Sequence, residues 1–228
     1  MSPFEEVKSK VVAAVRQLTH DGYLSTTGGN LSVRVPGQNA LAITPSNFDY
    51  LKMTPADICV LQFDLNPLEE PHKPSVESAM HAAIYQARGD VNAVIHTHQV
   101  YPSTLAIINA PIPALFDEQV RFLGRSVEII PYAPSGTPML KNNIARHVKN
   151  HHNAFMMANH GALLLGHNLE RAMHNVALLE KCALAYLLSL CAEKKASKVP
   201  LWVREVAFAK LRKDQQKVER GDFETGGE

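Results

Sequence analysis

Segments of helix period and segments of strand period alternate along almost the whole chain, with no Pro-, Gly- or Ser-rich linker between them. That ordering constrains the fold more than any other property. Elements that follow one another so closely must share a core, and a sheet covered by helices buries both kinds of apolar surface. A length of 228 residues, 46% of them apolar, suits one such α/β domain and excludes a disordered or fibrous chain.

Phe4, Val7, Val11, Ala14, Val15 and Leu18 recur at three- and four-residue steps behind Ser2-Pro3-Phe4-Glu5, which has the order of a capping box. A first helix starts there, and Gly22 closes it. The polar turn Thr26-Thr27-Gly28-Gly29-Asn30 feeds Leu31, Val33 and Val35, which alternate with Ser32 and Arg34 as in a half-buried strand. Residues 40–44 and 58–63 read as further strands. Over residues 75–88 the period lengthens, with Val76, Met80, Ala83, Ile84 and Ala87 on one helical face behind Pro74. Strand chemistry returns over 91–98 and 128–130, a short helix fits 102–109, and a longer one fits 138–150. The apolar run 155–165 is broken by Asn159-His160-Gly161, and a long core helix spans 168–192. Beyond Pro200 the residues are mostly charged, which predicts an exposed helix and a frayed tail ending in Thr225-Gly226-Gly227-Glu228. The organisation is thus one domain over residues 1–200, with a charged C-terminal helix and tail over 201–228.

Charge narrows the function. Lys plus Arg number 23 against 22 for Asp plus Glu, a net of +1, so no basic field exists to hold nucleic acid or an anionic membrane. The start lacks the basic and apolar regions of a secretory signal, and no stretch approaches the roughly 20 apolar residues of a membrane span. A cytoplasmic protein is expected. Cys59, Cys182 and Cys191 show no metal-type spacing and read as reduced core residues. The unusual figure is 11 histidines against a single Trp.

In Ile95-His96-Thr97-His98 the two histidines fall on the same side of a strand, about 6 to 7 Å apart along it, and can share one ion. His-x-His alone is more often two ordinary histidines that happen to alternate. His160 lies at the end of another strand-like run, where Gly161 lets the backbone turn. Three imidazoles suit a Zn²⁺ site with its fourth position open. Glu77, in the first turn of the helix after Pro74-Ser75-Val76, can be ligand, base or both, although helix dipoles favour acids there in any case. His81, four residues on, shares its face and suggests an orienting hydrogen bond rather than a fourth ligand. Thr27, Gly28, Gly29, Asn30, Ser46, Asn47 and Ser75 are small donors of the kind that cradle a phosphate, although Gly-Gly-Asn alone is only a turn.

Taken in order, Thr27-x-Gly29-Asn30-Leu31-Ser32, Thr44-Pro45, Pro74-Ser75-x-Glu77, His96-x-His98 and Asn159-His160-Gly161 resemble the class II aldolase/adducin family, over roughly residues 4–192. The resemblance implies a single three-layer α/β domain with a central, largely antiparallel sheet flanked by helices. It also implies a homotetramer with active sites at subunit interfaces. By the same resemblance His96, His98 and His160 hold Zn²⁺, or another divalent metal, and Glu77 is the catalytic acid/base and a further ligand when substrate is absent. Gly29, Asn30, Ser46, Asn47 and Ser75 fall where the family binds the substrate phosphate. The fuculose-phosphate pattern has a second serine where Val76 stands and a glycine where Asn47 stands. It has a tyrosine proton donor in the stretch Pro113-Ala114-Leu115-Phe116-Asp117-Glu118, so Asp117 or Glu118 becomes the second acid/base unless both are solvated loop residues.

The implied activity is that of a zinc-dependent lyase. It would be an aldolase that cleaves a small ketose 1-phosphate, through a metal-stabilised enediolate, to dihydroxyacetone phosphate and an aldehyde. A methylthioribulose-1-phosphate dehydratase, a sugar-acid phosphate decarboxylase, a pentulose-phosphate 4-epimerase and a non-catalytic adducin-like scaffold are the alternatives within the family. A Schiff-base aldolase needs a lysine in an apolar setting, which the polar surroundings of most lysines here do not offer.

Overall fold

The computed structural model describes residues 3–25 and 28–222. Ser2 of the capping box, Thr27 of the phosphate turn and the tail from residue 223 lie outside the described residues. Eight strands form one sheet in the order β4-β3-β2-β1-β5-β8-β7-β6. They are β1 (Asn30–Arg34), β2 (Ala40–Ile43), β3 (Cys59–Gln62), β4 (Pro67–Glu69), β5 (Ala93–Thr97), β6 (Glu128–Ile130), β7 (Ala154–Met157) and β8 (Gly161–Gly166). Among the described residues only β6 and β7 pair in parallel; the other pairs are antiparallel. The helices are α1 (Glu5–His20), α2 (Ser78–Ala87), α3 (Val100–Ile107), α4 (Asp117–Phe122), α5 (Pro138–His147), α6 (Leu169–Cys191) and α7 (Leu201–Arg220).

Central strands are buried on both faces, so successive side chains enter different cores. Ile95 and Leu164 join Val11, Val15, Val176 and Leu179 beneath α1 and α6. Val94, Leu163 and Leu165 join Met80, Ile84 and Ile144 beneath α2 and α5. This is the expected three-layer arrangement. Arg88, at the end of α2, ties the layers together: it pairs with Asp90 at 2.6 Å and reaches the carbonyls of Val148 and His152 and the Asn153 side chain at 3.0 Å.

Several expectations change. Helix α2 begins at Ser78, with Glu77 as its N-cap rather than in its first turn, and Val76 is 54% exposed instead of facing the core. Ser32 is fully buried although strand alternation puts it on the polar side. The strand expected to reach residue 98 ends at Thr97, leaving His98 just beyond it. Cys191 is exposed, while Cys59 and Cys182 are buried and free as expected. Strand β4 and helix α4 have no counterpart in the sequence pattern, both being too short to establish a period. Helix α7 is docked rather than free: Phe208 and Leu211 pack with Val120 of α4, and Gln215 bonds His151 O and Asn153 Oδ1. Among the described residues no helix is long and apolar enough to cross a membrane.

Candidate metal centre

Strand β5 lies between β1 and β8, and His96 near its end sits opposite Asn30 on one neighbour and Leu163 on the other. The β7–β8 hairpin turns through Asn159, in the left-handed region at φ 53°, and delivers His160 directly before β8. The ligand nitrogens of His96, His98 and His160 all lie within 4.8 Å of one another. Glu77 closes the cluster, with Oε2 3.4 Å from His96 Nε2 and Oε1 3.3 Å from His160 Nε2. Two glycines make room for this convergence. A Cβ on Gly161 would lie 2.9 Å from His98 Cδ2 and 3.1 Å from His96 Cε1, and would collide with Thr97 O. Gly29 has φ +84°, and a Cβ there would come within 2.5 Å of His96 O. The Tyr50 hydroxyl donates to Gly29 O at 2.6 Å and holds that turn in place.

The protonation pattern can be followed atom by atom. His96 Nδ1 lies 2.9 Å from Ala162 O and must donate, which leaves Nε2 as a bare lone pair 3.0 Å from His98 Nε2. Burial holds His96 down at about 4, the charges of His160 and His98 adding to the effect and Glu77 opposing it. His98 is lowered for the same first reason, so both are neutral, lone-pair imidazoles at pH 7. Glu77 is 4% exposed; burial works against its charge, yet the His96 imidazole, the Asn30 hydrogen bond and His160 hold it below the usual carboxylate range. Its Oε1 is buried with no hydrogen-bond donor among the described residues. A carboxylate oxygen left in that condition costs stability, and a divalent cation among the three imidazoles relieves it. Three imidazole nitrogens and one carboxylate, with His98 exposed on one side, suit Zn²⁺ or a similar ion.

The phosphate candidates are brought near one another but are partly occupied. Pro45 and Pro74 form an isolated bridge, Ser46 N donates to Lys73 O at 2.9 Å, and Ser75 N donates to Thr44 O at 3.3 Å. The Ser75 hydroxyl accepts from Glu77 N at 3.3 Å. Asn47 is exposed with φ 53°, which explains why asparagine can stand where the family pattern has glycine, since Asn tolerates the left-handed region better than most residues. The Asn30 side chain faces Glu77 and His81, with Nδ2 2.7 Å from Glu77 Oε2 and Oδ1 2.6 Å from His81 Nε2. Asp117 is exposed at the start of α4, and Glu118 pairs with Lys181 at 2.9 Å and with His174 at 3.7 Å, both on α6 rather than in the histidine cluster. His81 bonds Asn30 rather than Glu77 itself. Ser135, whose hydroxyl lies 3.4 Å from His160 Nε2, carries no signal in the sequence.

The family described as "Class II Aldolase and Adducin N-terminal domain" matches residues 9–187 of the chain. A 5-deoxy-D-ribulose 1-phosphate aldolase of Bacillus thuringiensis serovar kurstaki is 31% identical over 182 residues, covering 80% of this chain and 84% of the relative. An L-fuculose phosphate aldolase of Escherichia coli K12 is 34% identical over 181 residues, covering 79% and 82%. A solved structure of an L-fuculose 1-phosphate aldolase superposes with a TM-score of 0.85 at 32% identity, over 93% of this chain and 98% of that one.

Proposed function

The chain belongs to the class II aldolase and adducin family, and on that premise we propose that it is a metal-dependent carbon–carbon lyase: an aldolase cleaving a small ketose 1-phosphate to dihydroxyacetone phosphate and an aldehyde. The observation that carries this is the meeting of His96, His98 and His160 with the unpartnered Oε1 of Glu77. The three imidazoles would hold Zn²⁺ or another divalent ion, which when bound supplies Lewis-acid stabilisation of negative charge on substrate oxygens.

The remaining work falls to the chain. Glu77, ionised at neutral pH, takes and returns a proton through Oε1, while Oε2 stays on Asn30. General acid/base transfer of this kind contributes roughly 10²- to 10⁴-fold in rate. Gly29, Ser46, Asn47 and Ser75 orient the substrate through its phosphate, Asn30 contributing only what its bonds to Glu77 and His81 leave free. Since Asp117 and Glu118 lie outside the histidine cluster of their own chain, we assign the second proton transfer, by Asp117 or Glu118, to a site shared between copies in a homotetramer that works in the cytoplasm.

The test is product analysis on a panel of ketose 1-phosphates, including those of fuculose and 5-deoxyribulose. Two carbon fragments support the aldolase. Release of water alone, or of CO₂, reassigns the chain to a dehydratase or decarboxylase, and no turnover by the metal-loaded protein defeats the lyase reading.

A further inference from the structure

Glu77, His81 and Tyr85 are spaced four apart at the start of α2 and along it, and Asn30 and Ser32 are spaced two apart on β1. Four helical residues rise about 6 Å and two strand residues advance about 6.6 Å, so the two sets can stay in step. They do. Asn30 Nδ2 meets Glu77 Oε2 at 2.7 Å, Asn30 Oδ1 meets His81 Nε2 at 2.6 Å, His81 Nδ1 meets Ser32 Oγ at 2.6 Å, and Ser32 Oγ meets the Tyr85 hydroxyl at 2.8 Å. All five side chains are buried.

The direction of this chain of bonds is determined from one end. An ionised carboxylate only accepts, so Asn30 turns its NH₂ to Glu77 and its carbonyl to His81. His81 must then donate from Nε2, which in a neutral ring leaves Nδ1 to accept from the Ser32 hydroxyl. Tyr85, donating to Ser32 O at 2.9 Å as well as facing Oγ, ends the run as a donor. Burial keeps the His81 ring neutral, its pKa held at about 3 with His96 adding to the effect and Glu77 opposing it.

We propose that His81 is a positioning residue: by locking the Asn30 carboxamide in one orientation it ties down Glu77 Oε2 and leaves Oε1 as the oxygen that does the chemistry. The proposal rests on the reading of Glu77 as acid/base. Without the Nε2–H donor, Asn30 is free to flip and present an oxygen to the carboxylate.

A double-mutant cycle with a spectroscopic arm tests it. His81→Met should lower kcat about 10- to 100-fold with KM nearly unchanged, and His81→Gln, which can restore an N–H donor to Asn30, should recover most of the loss. Asn30→Ala should also lose activity, and adding His81→Met to it should cost nothing more, because His81 acts through Asn30. In metal-free wild type, long-range ¹H–¹⁵N spectra should show His81 protonated at Nε2 and bare at Nδ1. The Asn30 side-chain amide should be protected from exchange and lose that protection in His81→Met. Multiplicative losses in the double variant, no rescue by Gln, an Nδ1–H tautomer, or an Asn30 amide indifferent to His81→Met would each overturn the proposal. If wild type cleaves no ketose phosphate the acid/base reading fails by itself, while the tautomer and amide signals still decide whether His81 orients Asn30.

Discussion

The Asn30 carboxamide, 47 residues away in sequence, donates to Glu77 Oε2 at 2.7 Å, while Oε1 of the same carboxylate is buried without a donor. One carboxylate thus has two unlike oxygens. The first is anchored to the end of a central strand, and the second faces the imidazoles.

Replacing Glu77 by Gln keeps the shape and an acceptor for Asn30 but removes the charge and the proton site. The three histidines should retain a divalent ion while turnover falls at least about 10²-fold. Metal content and kcat measured on the same preparation check this, and full activity in the variant would remove Glu77 from proton transfer.

Gly161 has no room for a side chain between Thr97 O and the rings of His96 and His98. Gly161→Ala should push the hairpin off β5, destabilise the fold by about 1–3 kcal/mol and weaken metal binding together with it. Urea unfolding of the metal-free variant, followed by a metal titration, separates the two losses.

His152, away from the histidine cluster, is buried and held at about 4, by desolvation first and by the charges of Arg125 and Arg88 after it. Between pH 4 and 6.5 the unfolded chain binds a proton there that the native state does not, so stability is present above 6.5 and is lost as pH falls toward 4. His81 acts in the same direction, whereas Glu180, raised to about 7 by burial, is protonated in the fold between 4.5 and 7 and acts in the opposite one. His152→Leu should make the fall in unfolding free energy between pH 6 and pH 5 shallower by about 1 kcal/mol per unit. Denaturant titrations of both proteins at the two values provide the check.

Much of this was legible in residue order, and the parts that were not have definite causes. The core faces of α1 and α6 follow helical period closely, and Asn159-His160-Gly161 marks a turn because Asn159 and Gly161 suit sharp backbone. Ser32 misleads because strand alternation equates polar with exposed, and its partners His81 and Tyr85 lie 49 and 53 residues away. The sequence puts the start of α2 early because Pro74 and Ser75 resemble a helix start, whereas that segment bridges to Thr44 and Pro45. Asn30 reads as a loop donor, because its place opposite His96 and its bond to Glu77 depend on the β1·β5 register and on a helix 47 residues away.

Arg88 is 1% exposed and makes a two-point pair with Asp90. Arg88→Met strands that carboxylate in the core and should cost about 3–5 kcal/mol. The double variant Arg88→Met/Asp90→Leu should regain a large part of it, since no lone charge remains. Equal stability of the two variants in urea unfolding would contradict the pairing account.

Whether the three histidines hold the ion that drives turnover is read from the rate of ketose 1-phosphate cleavage as a divalent cation is added stepwise to metal-free protein. The rate should rise with a break at one equivalent per chain, and show no such rise in His160→Ala. Full cleavage without metal, or an unchanged break in His160→Ala, would contradict that role for the histidines.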